Sequence, residues 1–395
     1  MTLDRNTIRN EILGLKGNHF LLEIPTGIGK SRIAIEKIKS RCDKGKLLIV
    51  SSRLVHKENW LTEIKKWWET CPMSIKFVTY ASLHKIKLDE WDWIIFDEVH
   101  HLSERCRDIV ATYPIKNSIL LSATVKRDLR YEIRLLFKGL VEYRKTLRNA
   151  IDGGSLPDPM VYLVPLELDN KEQNQVILKN KNLNGAPIDC EWKDRWKHIT
   201  QKTYPVRVHC TAFQYLVDMN GHIEFWKRKS RNGALIAFKN KWLKLCGERL
   251  TWLSDYKVPY VEKILKKLED KRTLTFCNNI KQTEKLGMYC INSKNKLSVD
   301  YLKDFNAGKI NHITACTILN EGMNLADCQI GIFNNLNSSE TIVLQRTGRI
   351  LRHKDPIIII PYFKYTREEE MVKKMTESYN QELIKVIDNI DDLNI

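Results

Sequence analysis

Pro25-Thr26-Gly27-Ile28-Gly29-Lys30-Ser31 lies between an apolar run (Phe20, Leu21, Leu22, Ile24) and a helical pattern (Ile33, Ala34, Ile35, Ile38). A strand, a glycine loop and a helix in that order form a phosphate cradle. Backbone N–H groups at the helix start point into an anion, and the helix dipole favours negative charge there. Lys30 is placed to reach the terminal phosphates of a nucleotide, and the Ser31 hydroxyl to ligate Mg2+. Ile24 stands where the general GxxxxGKS/T pattern has its first glycine. A glycine turn ending on a lysine is the plainer reading, and partners further along the chain argue against it.

The first partner is Asp97-Glu98-Val99-His100, which follows the apolar run Ile94-Ile95-Phe96 about 65 residues after the loop. Two adjacent carboxylates at a strand end suit two tasks. Asp97 can hold Mg2+, because hard cations take oxygen ligands. Glu98 can orient and deprotonate the water that attacks a γ-phosphate. The second partner is the run Gln345-Arg346-Thr347-Gly348-Arg349-Ile350-Leu351-Arg352. Its three arginines are spaced by three, so they fall on neighbouring turns of a helix. Arginine stays charged and bonds phosphate bidentately. Supplied across a cleft, it is worth ~10³–10⁵ in phosphoryl-transfer rate.

These groups need elements to hold them. Leu47-Leu48-Ile49-Val50, Phe77-Val78-Thr79-Tyr80, Trp93–Phe96 and Ser118-Ile119-Leu120-Leu121 read as short, continuously apolar strands. A helical pattern carrying Trp60, Ile64, Trp67 and Trp68 separates the first two. Such strands alternating with helices predict a parallel sheet covered on both faces, with functional residues at the carboxyl ends of its strands. A second block repeats the style with Thr273–Phe276, Ile313–Cys316, Ile330–Phe333 and Ile357–Ile360, but has no second phosphate loop. The expected layout is an α/β chain in four parts. Residues 1–150 form the first domain, and 151–247 form a linker (Gly153–Pro159) and a basic insert containing Trp192, Trp196, Trp226 and Trp242. Residues 248–375 form the second domain, and 376–395 a helical tail.

The chain has 395 residues, too many for one ordinary core. Net charge is +17 and pI about 9.3, which points to a polyanionic partner. Pro187–Leu253 alone holds thirteen Lys/Arg against six Asp/Glu. No apolar stretch is long enough to span a membrane, and Met1–Arg5 lacks the layout of a signal peptide. Ten cysteines without a CxxC pair suggest reduced thiols in a cytosol-like compartment. Cys190, His209 and Cys210 fit no common zinc spacing, so packing roles are expected for them.

On these residues the chain resembles a superfamily 2 helicase of phage or bacterial type, from the DEAD/DEAH-box-like group with two RecA-like domains. Pro25–Ser31 is similar to its motif I, Asp97–His100 to motif II in the form DEVH, and Ser122-Ala123-Thr124 to motif III. Ser51-Ser52-Arg53 resembles motif Ia, Thr79-Tyr80-Ala81-Ser82 the TYxS element, and Thr275-Phe276-Cys277-Asn278 motif IV. Asn320-Glu321-Gly322-Met323-Asn324-Leu325 resembles motif V, and 345–352 fits motif VI. The likeness covers roughly residues 18–125 and 250–360. It implies an ATP hydrolase binding ATP and Mg2+ between two domains. Pro25, Thr26, Gly27, Ile28, Gly29, Lys30, Ser31, Asp97 and Asn324 are then expected at the nucleotide, with Ser31 and Asp97 on the metal. Glu98, Lys30, Gln345, Arg349 and Arg352 are expected in catalysis, and Arg346 in organising the interface.

The resemblance further implies backbone contacts to nucleic acid from Ser52, Arg53, Thr79, Tyr80, Asn278 and Gly322. The function it implies is an ATP-dependent DNA helicase or translocase, with DNA favoured over RNA, no membrane partner, and a nuclease or replication/recombination protein as a conceivable companion in a bacterial or phage-infected cytoplasm. A non-unwinding translocase of a restriction or branch-migration system, an RNA helicase and an ATP-gated clamp are the alternatives. Two positions depart from the family pattern. No glutamine motif precedes the loop, since Arg5–Arg9 occupies that region, and Asn324 replaces a commoner acidic residue.

Overall fold

The computed structural model describes residues 6–42, 44–54, 56–169, 174–178, 186–197, 206–231, 235–316, 325, 328–337 and 339–395. The apolar runs of the first block pair as expected. β1 (His19–Glu23), β2 (Gly45–Ser51), β3 (Met73–Thr79), β4 (Trp93–Phe96), β5 (Ser118–Ser122) and β6 (Val141–Arg144) form a parallel sheet ordered β3-β2-β4-β5-β1-β6. Both faces of its central strands are buried, so these strands read as unbroken apolar runs rather than alternations. Around them lie α1 (Asn6–Gly14), α2 (Lys30–Lys39), α3 (His56–Trp67), α4 (Glu104–Ala111), α5 (Arg127–Leu136) and α6 (Leu147–Asp152). Lys37 is buried, and its ammonium donates to the carbonyls of Ile12, Leu13 and Leu15, closing the end of α1.

The second lobe holds a seven-stranded parallel sheet, β12-β13-β11-β14-β15-β7-β16. Its strands are β7 (Met160–Leu166), β11 (Thr273–Cys277), β12 (Cys290–Ile291), β13 (His312–Cys316), β14 (Ile330–Phe333), β15 (Ile357–Phe363) and β16 (Ile384–Val386). Three of the expected assignments change. β7 was assigned to the linker and insert, yet it pairs with β15 over seven residues and belongs to this sheet. The tail expected to be helical instead supplies β16, because Ile384–Val386 finds the open edge of β7. Within the Gly153–Pro159 linker, Ser155 and Leu156 are buried. One apolar core runs from Phe20 and Ile33 through Ile151 and Leu156 to Leu274, Phe333 and Ile350, and so joins the two lobes.

The insert contains a small sheet, β8 (Asn174–Leu178), β10 (Val206–Cys210) and β9 (Ile188–Glu191), in the order β8-β10-β9. A helical hairpin follows, α7 (Ala212–Lys229) and α8 (Ile236–Lys267). Thr211 and Gln214 form a reciprocal capping box at the start of α7. α8 crosses the expected boundary at 247 without a break. Its far end is fixed in the second lobe by a fully buried ion pair, Lys257 Nζ to Glu368 Oε1 at 2.6 Å. Of the four insert tryptophans, Trp192 packs against the small core of Val206, Val208 and Cys210, Trp226 and Trp242 are half-buried, and Trp196 is exposed. No group of three metal-ligating side chains occurs among the described residues. The remaining helices are α9 (Ile280–Leu286), α10 (Ser298–Asn306), α11 (Glu340–Ile350) and α12 (Arg367–Thr376).

Candidate nucleotide site and interlobe cleft

The phosphate loop turns on two glycines in the left-handed region, Gly27 at φ 102° and Gly29 at φ 97°. Gly29 caps α2 and Lys30 is its first residue, so the N–H groups of that first turn face the loop. The Lys30 ammonium is buried and makes no hydrogen bond; its nearest anion is Glu98 Oε1 at 3.6 Å. Thr26 Oγ1 is likewise buried without a partner.

Glu98 sits at φ 51°, an uncommon conformation for a residue with a side chain, costing roughly 1–2 kcal/mol. The strain turns its carboxylate between two partners. Beyond Lys30, His100 Nδ1 lies 3.3 Å from Glu98 Oε2 and 3.2 Å from Ser122 Oγ at the end of β5. Asp97 is held from both sides: the Trp60 indole N–H donates to Oδ2 at 2.9 Å, and the Tyr80 hydroxyl donates to its carbonyl at 3.0 Å. Behind the site, buried Glu23 accepts from the Val125 N–H at 3.2 Å and pairs with Arg130 and Arg144. That ties the turn after β5 back to β1.

The second lobe meets this loop through α11. Gly348 lies so close that a Cβ there would come within 2.4 Å of Thr26 Cβ and 2.6 Å of the Thr26 carbonyl oxygen. Helix and loop therefore touch backbone to backbone, which only glycine allows. Leu156 packs on Gly27 from the linker, and Thr124 and Thr341 join their hydroxyls across the lobes at 2.5 Å. Gln345, Arg346, Thr347 and Arg349 are all buried, and Gln345 Nε2 has no hydrogen-bond partner among the described residues. Arg346 turns away from the loop. It donates to the Asn335 carbonyl at 3.0 Å, stacks over Phe276, and burial pulls its guanidinium down to about 10. Arg352 donates to the Leu325 carbonyl at 3.4 Å, which links the end of motif VI to the end of motif V.

Other expected residues are spread more widely. Arg53 is exposed and Ser52 half-buried at the end of β2. Thr79 donates to Ser82 Oγ at 3.1 Å. Tyr80 is buried with its hydroxyl donated to the Asp97 carbonyl, so it braces the turn after β4 and does not present a hydroxyl to a backbone. Asn278 bonds Thr251 on α8 and, through its N–H, Gln282. Gly322 and Asn324 lie outside the described residues. Sequence reasoning missed Trp60, Glu23, Thr341 and Leu156. Of these, only Glu23 left a signal, as a lone charge in an otherwise apolar strand.

The residues present fit a Mg2+-bound nucleoside triphosphate. A buried ammonium without a hydrogen bond, a buried hydroxyl without one, two left-handed glycines and a helix N-terminus converge on the loop. Ser31 and Asp97 supply oxygen donors of the hard type Mg2+ takes.

Comparison with known proteins agrees with this architecture. A family model described as the type III restriction enzyme res subunit matches residues 5–127, and one described as the helicase conserved C-terminal domain matches residues 256–354. The DNA 3'-5' translocase XPB2 of Sulfurisphaera tokodaii is 23% identical over 362 residues, covering 86% of this chain and 76% of that relative. Among solved structures, S. cerevisiae Dbp5 bound to RNA and ADP BeF3 aligns with TM-score 0.57 at 10% identity, over 98% of this chain and 90% of its own. The Pyrococcus furiosus Hef helicase domain aligns with TM-score 0.50 at 14% identity, over 95% and 99%. Each family model falls on one of the two lobes that build the cleft, and together they support a superfamily 2 helicase that hydrolyses ATP.

Proposed function

We propose that the protein is an ATP-dependent DNA helicase or translocase that hydrolyses Mg2+–ATP between its two lobes. The observation that carries this is the direct apposition of Gly348 and the phosphate loop, which brings α11 of one lobe onto the nucleotide cradle of the other. Lys30 and the loop N–H groups bind the phosphates, and Ser31 and Asp97 hold the metal. Bound there, Mg2+ neutralises the developing phosphate charge. Glu98, between Lys30 and His100, accepts the proton of the attacking water. Arg349 and Arg352 complete the site from the second lobe, and Gln345 on the same helix helps to orient the water. Because this half of the site rides on a separate lobe, hydrolysis depends on how the lobes are held together. A nucleic-acid strand bound across both lobes is what holds them so.

DNA is favoured by the relative named a DNA 3'-5' translocase, and that name makes 3'-5' the first polarity to measure. The net charge of +17 is consistent with a polyphosphate track. Lys30→Ala removes the buried ammonium at the loop, so DNA-stimulated ATP hydrolysis should fall to background in a phosphate-release assay. Retained hydrolysis would defeat the assignment. Strand displacement measured beside triplex displacement separates unwinding from translocation alone.

A further inference from the structure

We propose that the tip of the α7–α8 hairpin binds the unpaired bases of a nucleic-acid junction, away from the cleft. The inference rests on the nucleic-acid motor reading above and adds a second contact to it. α7 has no buried residue after Ile223, and α8 has none before Leu253. The outer part of α8 alone, Ile236–Trp252, spans roughly 25 Å at the ordinary helical rise. It packs mainly on its partner helix, so the two form an arm projecting from the second lobe.

The arm ends in groups that a purely solvated helix tip does not need. Phe225 is 53% exposed, Leu235 70% and Ile236 77%. Phe225 and Trp226 meet edge to face at 5.4 Å, and Trp226 reaches Phe238 across the hairpin at 5.6 Å. Cations surround these rings. Lys229 Nζ lies 5.8 Å from the Phe225 centroid, and Arg228, Arg231, Lys239 and Lys241 are exposed nearby. The stretch 224–249 contains two carboxylates, Glu224 and Glu248, and each already pairs on its own helix, with Lys227 and Lys244. Exposed rings beside exposed cations that pair with no carboxylate among the described residues match a polyanion that also offers flat π faces, which describes unstacked nucleic-acid bases.

The root of the arm is joined to motif VI. Asn335 donates to Ser254 Oγ on α8 at 3.0 Å, and the Asn335 carbonyl accepts from Arg346 on α11 at 3.0 Å. With the buried Lys257–Glu368 pair beside them, these bonds make the arm move with the helix that faces the nucleotide. A surface placed so is carried through each cycle of the motor, which favours the motor's own track over a lipid surface.

The test compares forked and blunt duplex DNA by fluorescence anisotropy, using the full chain and the variants Phe225→Ala, Phe225→Trp and Arg228→Ala/Lys229→Ala. Phe225→Ala should weaken fork binding roughly tenfold and leave blunt-duplex binding within about twofold. Phe225→Trp should keep fork binding, and the double charge variant should lower the salt dependence of fork binding. Hydrolysis stimulated by a short single strand should stay within about twofold of wild type in all three, which separates failure of the arm from failure of the motor reading. Unchanged fork binding in Phe225→Ala would overturn the proposal, as would an equal loss on blunt duplex. So would binding of phosphatidylserine vesicles that Phe225→Ala abolishes while fork binding persists.

Discussion

Glu98 holds a strained backbone so that its carboxylate lies between an ammonium and an imidazole. That placement suits a base that must not be neutralised by a single close ion pair, since Lys30 stays 3.6 Å away. Glu98→Gln keeps the shape and loses the proton acceptor. ATP binding, read with a fluorescent analogue, should change little, while the DNA-stimulated kcat should fall ~10²–10⁴-fold. A variant with near-normal kcat would remove Glu98 from the chemistry. The types and spacing of residues 25–31 and 97–100 made this half of the site legible, because local chemistry decides it. Trp60 and Tyr80 were not legible in the same way. Their bonds to Asp97 reach across 37 and 17 positions and exist only because β2, β3 and β4 are neighbours. Tyr80 looked like a nucleic-acid contact because a motif records residue type and not where the hydroxyl points.

At the level of elements, α11 can lie on the phosphate loop only while position 348 has no side chain. Gly348→Ala would place a methyl 2.4 Å from Thr26 Cβ and 2.6 Å from a backbone oxygen, so the loop or the helix must withdraw. DNA-stimulated kcat should drop at least tenfold while each lobe stays folded by circular dichroism; full activity would mean that this contact is dispensable. α8 and α12 meet at Lys257 and Glu368, both wholly buried. Lys257→Met strands a buried carboxylate that also accepts from the Phe363 N–H, and should cost about 3–5 kcal/mol in thermal or urea unfolding. Lys257→Met/Glu368→Leu should recover much of that loss. The strands of both sheets could be read from short apolar runs, but their order could not. β7 sits some 190 residues before its partner β15, and β16 is three residues long, so neither carries a local mark of its sheet.

In the molecule as a whole, an apolar core, a hydroxyl pair and the Gly348–Thr26 backbone contact join the two lobes. The linker contributes to this closure, since Leu156 packs on Gly27. The ordered set of motifs made two RecA-like lobes legible; the degree of closure was not, because it depends on contacts such as Thr124–Thr341 between residues 217 positions apart. The account stands on one relation, that a nucleotide held by the first lobe is hydrolysed with help from the second. The most direct measurement is DNA-stimulated ATP hydrolysis by Arg349→Ala, with nucleotide affinity determined on the same preparation and its fold checked by thermal melting. The account predicts a fall in kcat of ~10³-fold or more, with the Kd for nucleotide changed only a few-fold. A folded Arg349→Ala protein that hydrolyses ATP at close to the wild-type rate would contradict it.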